Sequence, residues 1–257
     1  MRTGNWTKDQ LKLAFHLYCQ LPFGRLHNRN PEVIELAKLI GRTPSAVAMK
    51  LVNLASLDPS IVSTGRSGLG NASSLDREVW AEFDADWEGL AVECQRLRLE
   101  RGASAPVVLA DPDDDPIGAF TGETKAVLTE RRVKQSFFRR AVLSGYRGRC
   151  CISGVSVPQL LVASHIVPWS QDKANRLNPR NGLCLSAIHD RAFDQGLIGL
   201  TDDFRLIVST VIKKKGDPFL STVLVAEEGK KIELPERFLP SVEFIQKHRK
   251  DVMQTYD

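Results

Sequence analysis

No stretch of the 257-residue sequence approaches the ~20 consecutive apolar side chains that a membrane span needs. The opening MRTGNWTKDQ also lacks the apolar run of a secretory signal, so a cytoplasmic location is the expectation. Cysteine is scarce: Cys19, Cys94, Cys150, Cys151 and Cys184 are odd in number and without framework spacing. That excludes a disulfide-stapled secreted scaffold and suits a reducing compartment. Paired Cys-x-x-Cys motifs are missing too, and four ligands cannot be assembled at the usual spacing, so no structural zinc is expected. The sequence contains no internal repeats and no low-complexity tracts. What is present, 42% hydrophobic and 26% charged residues, is ordinary for a globular protein long enough to bury a core in one or two domains.

The net charge of +4 is mild, but its distribution is uneven. Lys plus Arg against Asp plus Glu runs 8 to 4 over residues 1–60, 5 to 12 over 61–120, 11 to 4 over 121–190 and 11 to 11 over 191–257. Two basic blocks flank an acidic one, as expected if the outer blocks meet phosphate. Chance clustering of solvated charges is the alternative.

The first 60 residues read as helical. In WTKDQLKLAFHLYCQL, Leu11, Phe15 and Tyr18 recur at helical spacing behind the N-cap candidate Thr7. NPEVIELAKLIGRTPSAVAMKLVNL contains two short helices, each opened by a cap and a proline, Asn30-Pro31 and Thr43-Pro44, with Gly41 between them. Such a pair resembles a helix-turn-helix. Its second helix turns Val47, Leu51 and Leu54 inward and Ser45, Ala48, Lys50 and Asn53 outward, which makes Lys50 and Arg42 candidate DNA contacts. A three-helix bundle with no nucleic-acid role is the competing reading.

A Gly/Ser-rich loop at 63–74 precedes a long helix expected over Leu75–Arg101. Its Trp80, Phe83, Trp87, Leu90, Cys94 and Leu97 form one narrow apolar seam, either a homodimer contact or, as two tryptophans favour, packing against the first module. GASAPVVLADPDDDPIGAFTGE reads as a linker. The expected division is therefore 1–60 as a helix-turn-helix-like module, 61–124 as helix and linker, and 125–257 as a second domain opened by the basic helix around Arg139 and Arg140.

In that domain QLLVASHIVPW is β-branched and apolar, hence a strand, with His165 at its end. After the polar SQDKANRLNPRN comes GLCLSAIHDRAFDQGL, a strand at Leu183–Leu185 turning helical through Ala187–Gln195 and stopped by Gly196. A hairpin is expected in GLIGLTDDFRLIVST, and VIKKKGDP supplies a basic loop. Taken one at a time, His165 could be a core histidine, Asn181 a turn former and His189 a cap.

Taken together, His165, Asn181 and His189, with AVLSGYRGRCCISG, ASHIVPW, LNPRNGLCL and HDRAFDQGLIGL around them, resemble the HNH endonuclease family over roughly Val133–Lys250. The resemblance implies an α+β chain whose second domain has the ββα-metal fold and hydrolyses DNA phosphodiesters, with a restriction or phage-defence role. It assigns His165 as general base, Asn181 as orienting residue and His189 as ligand of Mg²⁺ or Mn²⁺. Arg139, Arg140, Arg176 and Arg180 would hold the DNA backbone.

The sequence departs from the family pattern at the metal. The position before the base is Ser164, a weak ligand candidate, and Phe193 stands where a second helical ligand is common. Asp190 and Asp194 are the nearest carboxylates, Asp194 lying ~140° around an ideal helix from His189. A DNA-binding regulator with a degenerate HNH fold is the competing function.

Overall fold

The structure is a computed structural model that describes residues 4–63, 70–103 and 123–253. The chain forms two compact units, Met1–Ala141 and Val142–Asp257. Their boundary falls inside a helix rather than at the 124/125 junction read from composition. The proposed linker lies largely outside the described residues, as does most of the Gly/Ser-rich loop.

The first unit is helical. Helix α1 (Lys8–Gln20) starts at a capping box in which Thr7 and Gln10 satisfy each other's backbone N–H. Helices α2 (Pro31–Leu39) and α3 (Pro44–Ala55) start at Asn30 and Thr43, whose side chains accept from Glu32 N and Ala46 N. Gly41, at φ 67°, makes the left-handed turn between them that a β-carbon would strain. A short α4 (Pro59–Ser63) follows.

The single long helix expected at Leu75–Arg101 is two: α5 (Ser74–Ala85) and α6 (Trp87–Glu100). The break is at Asp86, which leaves helical geometry (φ −148°, ψ 80°) and caps α6 with its own carboxylate on Gly89 N, 2.8 Å away. An aspartate competing for backbone donors favours such a cap over a helix interior. The apolar seam is covered within the unit. Phe15 of α1 lies 4.9 Å from Trp80, 4.4 Å from Phe83 and 6.2 Å from Trp87, ring centroid to ring centroid. Each fully buried aromatic of this kind contributes roughly 1.5–3 kcal/mol by area. The seam therefore packs as a local core within the unit. Helix α7 (Glu123–Gly145) packs Phe137 against His16 at 5.0 Å.

The outward face expected of α3 is corrected here. Ala48, Lys50 and Asn53 are buried, and the Lys50 ammonium sits 3.0 and 2.9 Å from the two oxygens of Asp76, itself fully buried. Acidic α5 packs on this face, so the lysine serves an internal ion pair. Arg42 is likewise engaged: its guanidinium donates to the Gly4 and Asn5 carbonyls and to Gln10, and lies 5.0 Å over Trp6. Both side chains are therefore engaged within the unit. Lys50→Ala is expected to destabilise the unit by about 3–5 kcal/mol, because it strands a buried carboxylate. Urea unfolding reads that loss, while DNA affinity should not change.

The second unit contains two antiparallel hairpins. Strand β1 (Leu161–His165) pairs β2 (Gly182–Ser186), with His165 opposite Gly182 and Ser164 opposite Leu183. Helix α8 (Ala187–Asp194) follows β2 directly and packs on both strands. Gly196, at φ 65°, ends it, as the sequence suggests. Strand β3 (Ile198–Leu200) then pairs β4 (Leu206–Val208) around the Asp202-Asp203 turn. Helices α9 (Thr210–Lys215), α10 (Pro218–Val223) and α11 (Val242–Asp251) complete the unit. The α+β class holds, and among the described residues the named strands are those of these two hairpins.

Candidate active site

His165 ends β1 and Asn181 precedes β2, so strand pairing brings them to one end of the hairpin. Residues 166–181 form the excursion between them, and Asn181 ties it shut. Its backbone carbonyl accepts from Ile166 N at 2.9 Å, and its side-chain Oδ1 accepts from Val167 N at 2.8 Å. Its Nδ2 donates to the carbonyls of Val167 at 3.1 Å and Asn175 at 3.3 Å. The residue is wholly buried. An asparagine suits the position because its amide carries both an acceptor and a two-proton donor.

The half-buried His165 is fixed from two sides. Its Nε2–H donates to the Arg176 carbonyl at 2.9 Å, which leaves the lone pair on Nδ1. Trp169 meets the imidazole edge to face at 5.5 Å. Burial, opposed by the bond to Arg176, lowers the imidazole from its usual 6.5 to about 4, so it is neutral at pH 7 and able to accept a proton. The Arg176 guanidinium lies 5.0 Å over the Trp169 ring. Arg176 and Arg180 both lie within the excursion that follows His165. Arg140 pairs instead with Glu32 and lines a cleft of about 750 Å³ in the first unit, with His16, Arg98 and Phe137. Arg139 lies on the same helix, in the first unit.

His189 is buried in α8, and both its ring nitrogens are engaged. Nδ1 stands 2.6 Å from the Ser186 hydroxyl and 3.9 Å from the Cys150 sulfur, while Nε2–H donates to the Val223 carbonyl at 3.1 Å. Burial pulls this imidazole down, but Cys150, Val223 and Glu227 raise it further, for a net upward shift. Burial pushes the Cys150 thiol up, yet His189 and Ser153 bring it to about 6. The sequence reading missed this cluster. Its signal was Ser186 three residues before His189, the spacing at which a helix-start hydroxyl meets the first turn.

The remaining ligand candidates do not gather around His189. Ser164 points to the face of β1 opposite His165, as strand alternation requires, and its hydroxyl is buried without a partner. Loss of hydration, then the Asp190 carboxylate, push Asp194 up to about 6. Phe193 is core, stacked 3.7 Å from His248. Among the described residues no three His, Cys, Asp or Glu side chains stand together as a metal site. The Ser164 hydroxyl is a lone neutral oxygen and both ring nitrogens of His189 are engaged, a donor set that does not fit a divalent ion. Cys150, Cys151 and Cys184 are all buried and form no disulfide.

Residues 150–201 match the family model described as HNH endonuclease. A solved structure titled "Modification dependent TagI restriction endonuclease" aligns with 46% of this chain and 38% of its own, at 21% identity and a TM-score of 0.35. No curated protein matches the chain. No described helix is long and apolar enough to cross a membrane. The β1–β2–α8 arrangement, with His165, Asn181 and His189 at its strand ends and helix, lies inside the matched segment, and residues 150–201 form an HNH endonuclease domain.

Proposed function

We propose that this domain hydrolyses DNA phosphodiesters with His165 as the general base. The observation that carries the reading is the His165 Nε2–H bond to the Arg176 carbonyl, which puts the proton-accepting lone pair on Nδ1 of an imidazole that is neutral at pH 7. Nδ1 takes the proton of the attacking water as its oxygen adds to phosphorus, the P–O bond to the departing sugar oxygen breaks, and that oxygen takes a proton from solvent. Asn181 holds the backbone at 166–167 so that the imidazole keeps this aim. Arg176 and Arg180 bind backbone phosphates. Restriction of foreign DNA is the role that fits such an activity.

HNH nucleases generally depend on a divalent metal. His189, Asp190, Asp194 and Ser164 are not arranged here to hold one, so no step is assigned to it. The test is conversion of supercoiled plasmid to nicked or linear forms in Mg²⁺, Mn²⁺ and EDTA. Nicking in either ion supports the reading. Binding without nicking in any condition would replace it with the degenerate, DNA-binding regulator, the reading that the engaged His189 favours.

The lowered imidazole has a kinetic signature. A base that must be neutral loses activity as pH falls through its own pKa, so the acid limb of kcat/KM belongs near pH 4 instead of 6.5. Activity should be flat from about pH 5.5 to 7. A limb centred at 6.5 would show that the imidazole is open to water.

A further inference from the structure

We propose that the corner between α9 and α10 is a DNA-contact surface, in which Lys214 and Lys215 neutralise backbone phosphates and the ring of Phe219 packs on a nucleotide of the same strand. The proposal rests on the DNA reading of the domain. Residues 213–219 are all exposed and read KKKGDPF. Three lysines end α9, Gly216 turns the chain at φ 64°, and Phe219 stands in the first turn of α10. Beneath the corner Ile212 and Leu224 are buried, so both short helices are anchored from inside while their junction faces water.

Lys213 is committed to Glu228, and the one acid of the corner, Asp217, caps α10 by accepting from Leu220 N at 2.8 Å. Lys214 and Lys215 have no hydrogen-bond or ion-pair partner among the described residues. Phe219 is 60% exposed, more than any other large apolar side chain among the described residues. A single exposed apolar residue is ordinary on a protein surface. Two unpaired lysines beside it single it out. A ring set among cations matches a nucleic-acid strand, where each phosphate comes with a flat base. An acidic protein surface would satisfy the lysines but offers no such face beside each charge. The corner also has a place near the site. Phe219 precedes Val223 by four residues, ~6 Å along α10. The Val223 carbonyl takes the Nε2–H of His189 at 3.1 Å, which ties α10 to the helix of the matched HNH segment.

Two variants test this, Phe219→Ala and the double change Lys214→Gln with Lys215→Gln, read on affinity for a DNA duplex in EDTA across a salt series. The lysine variant is expected to lower the salt slope of binding by about two. Phe219→Ala should weaken binding about five- to fifty-fold with the slope unchanged, because the ring carries no charge. All three side chains are exposed, so thermal unfolding should not move and the losses read the contact itself. A wild-type slope in the lysine variant, or wild-type affinity in Phe219→Ala, would overturn the proposal and leave the corner to a protein partner. The expected losses, in a protein that binds DNA but never nicks it, would leave this inference standing and remove the nuclease reading alone.

Discussion

His165→Ala is expected to lower the single-turnover rate of DNA cleavage by about 10²–10⁴, the usual worth of a positioned general base. The imidazole is the group in the β1–β2 hairpin whose tautomer, aim and charge state are all set for taking a proton. Its Nε2–H is tied to Arg176, its edge is against Trp169, and burial keeps it neutral. Alanine removes the acceptor without removing a phosphate contact, so DNA affinity should stay within about twofold while the rate falls. The structural cost is small, because His165 is half-buried and its backbone remains paired to Gly182.

Asn181→Ala should be costly to both activity and stability, and for a different reason. The side chain satisfies the Val167 N–H and two carbonyls at a position closed to water. Leaving those groups unpaired costs about 1–3 kcal/mol each where no water replaces the amide, so a loss of roughly 2–5 kcal/mol is expected. Asn181→Asp separates the roles of its two ends. The carboxylate still accepts from Val167 N, but its other oxygen faces the Val167 and Asn175 carbonyls, and repulsion there should open the excursion. Thermal unfolding and cleavage measured together check this. Both variants should lose stability, with rate losses that exceed what the unfolded fraction explains. Cleavage at the wild-type rate by folded Asn181→Ala would remove its orienting role.

The elements of the second unit were legible because their signals are local. A β-branched run ends at His165, Gly196 stops α8, and an Asp-Asp pair turns the β3–β4 hairpin. The helix caps at Thr7, Asn30 and Thr43 were legible for the same reason: a side-chain oxygen meets a backbone N–H two or three residues away. Lys50 was misread as facing outward, and the contacts of Arg42 were not legible, because their partners are distant in sequence. Nothing near Lys50 announces Asp76, and a lysine at helical spacing defaults to solvent until a second helix covers it. The break at Asp86 was hidden by a continuous apolar seam, which a helix interrupted by one residue can still present.

The site divides along the same line. The family resemblance assigned Asn181 an orienting role, and its bonds tie the backbone at Val167 that follows His165. The pairing of His189 with Ser186, Cys150 and Val223 could not be read, since Val223 lies on a different helix and Cys150 precedes the hairpin. Trp169 was invisible as a partner of Arg176, because a polar excursion has no periodicity from which to infer which side chains stack. The weak points of the family pattern, Ser164 and Phe193, were visible as residue types. Phe193 has no donor atom to offer a metal, and the Ser164 hydroxyl is buried without a hydrogen-bond partner.

Chemical rescue tests the central claim most directly. His165→Ala is incubated with plasmid under single-turnover conditions, with and without added imidazole across the range where imidazole titrates. A general-base role for His165 predicts slow cleavage alone and recovery that follows the neutral fraction of the added imidazole. Cleavage by His165→Ala at the wild-type rate without imidazole would contradict it.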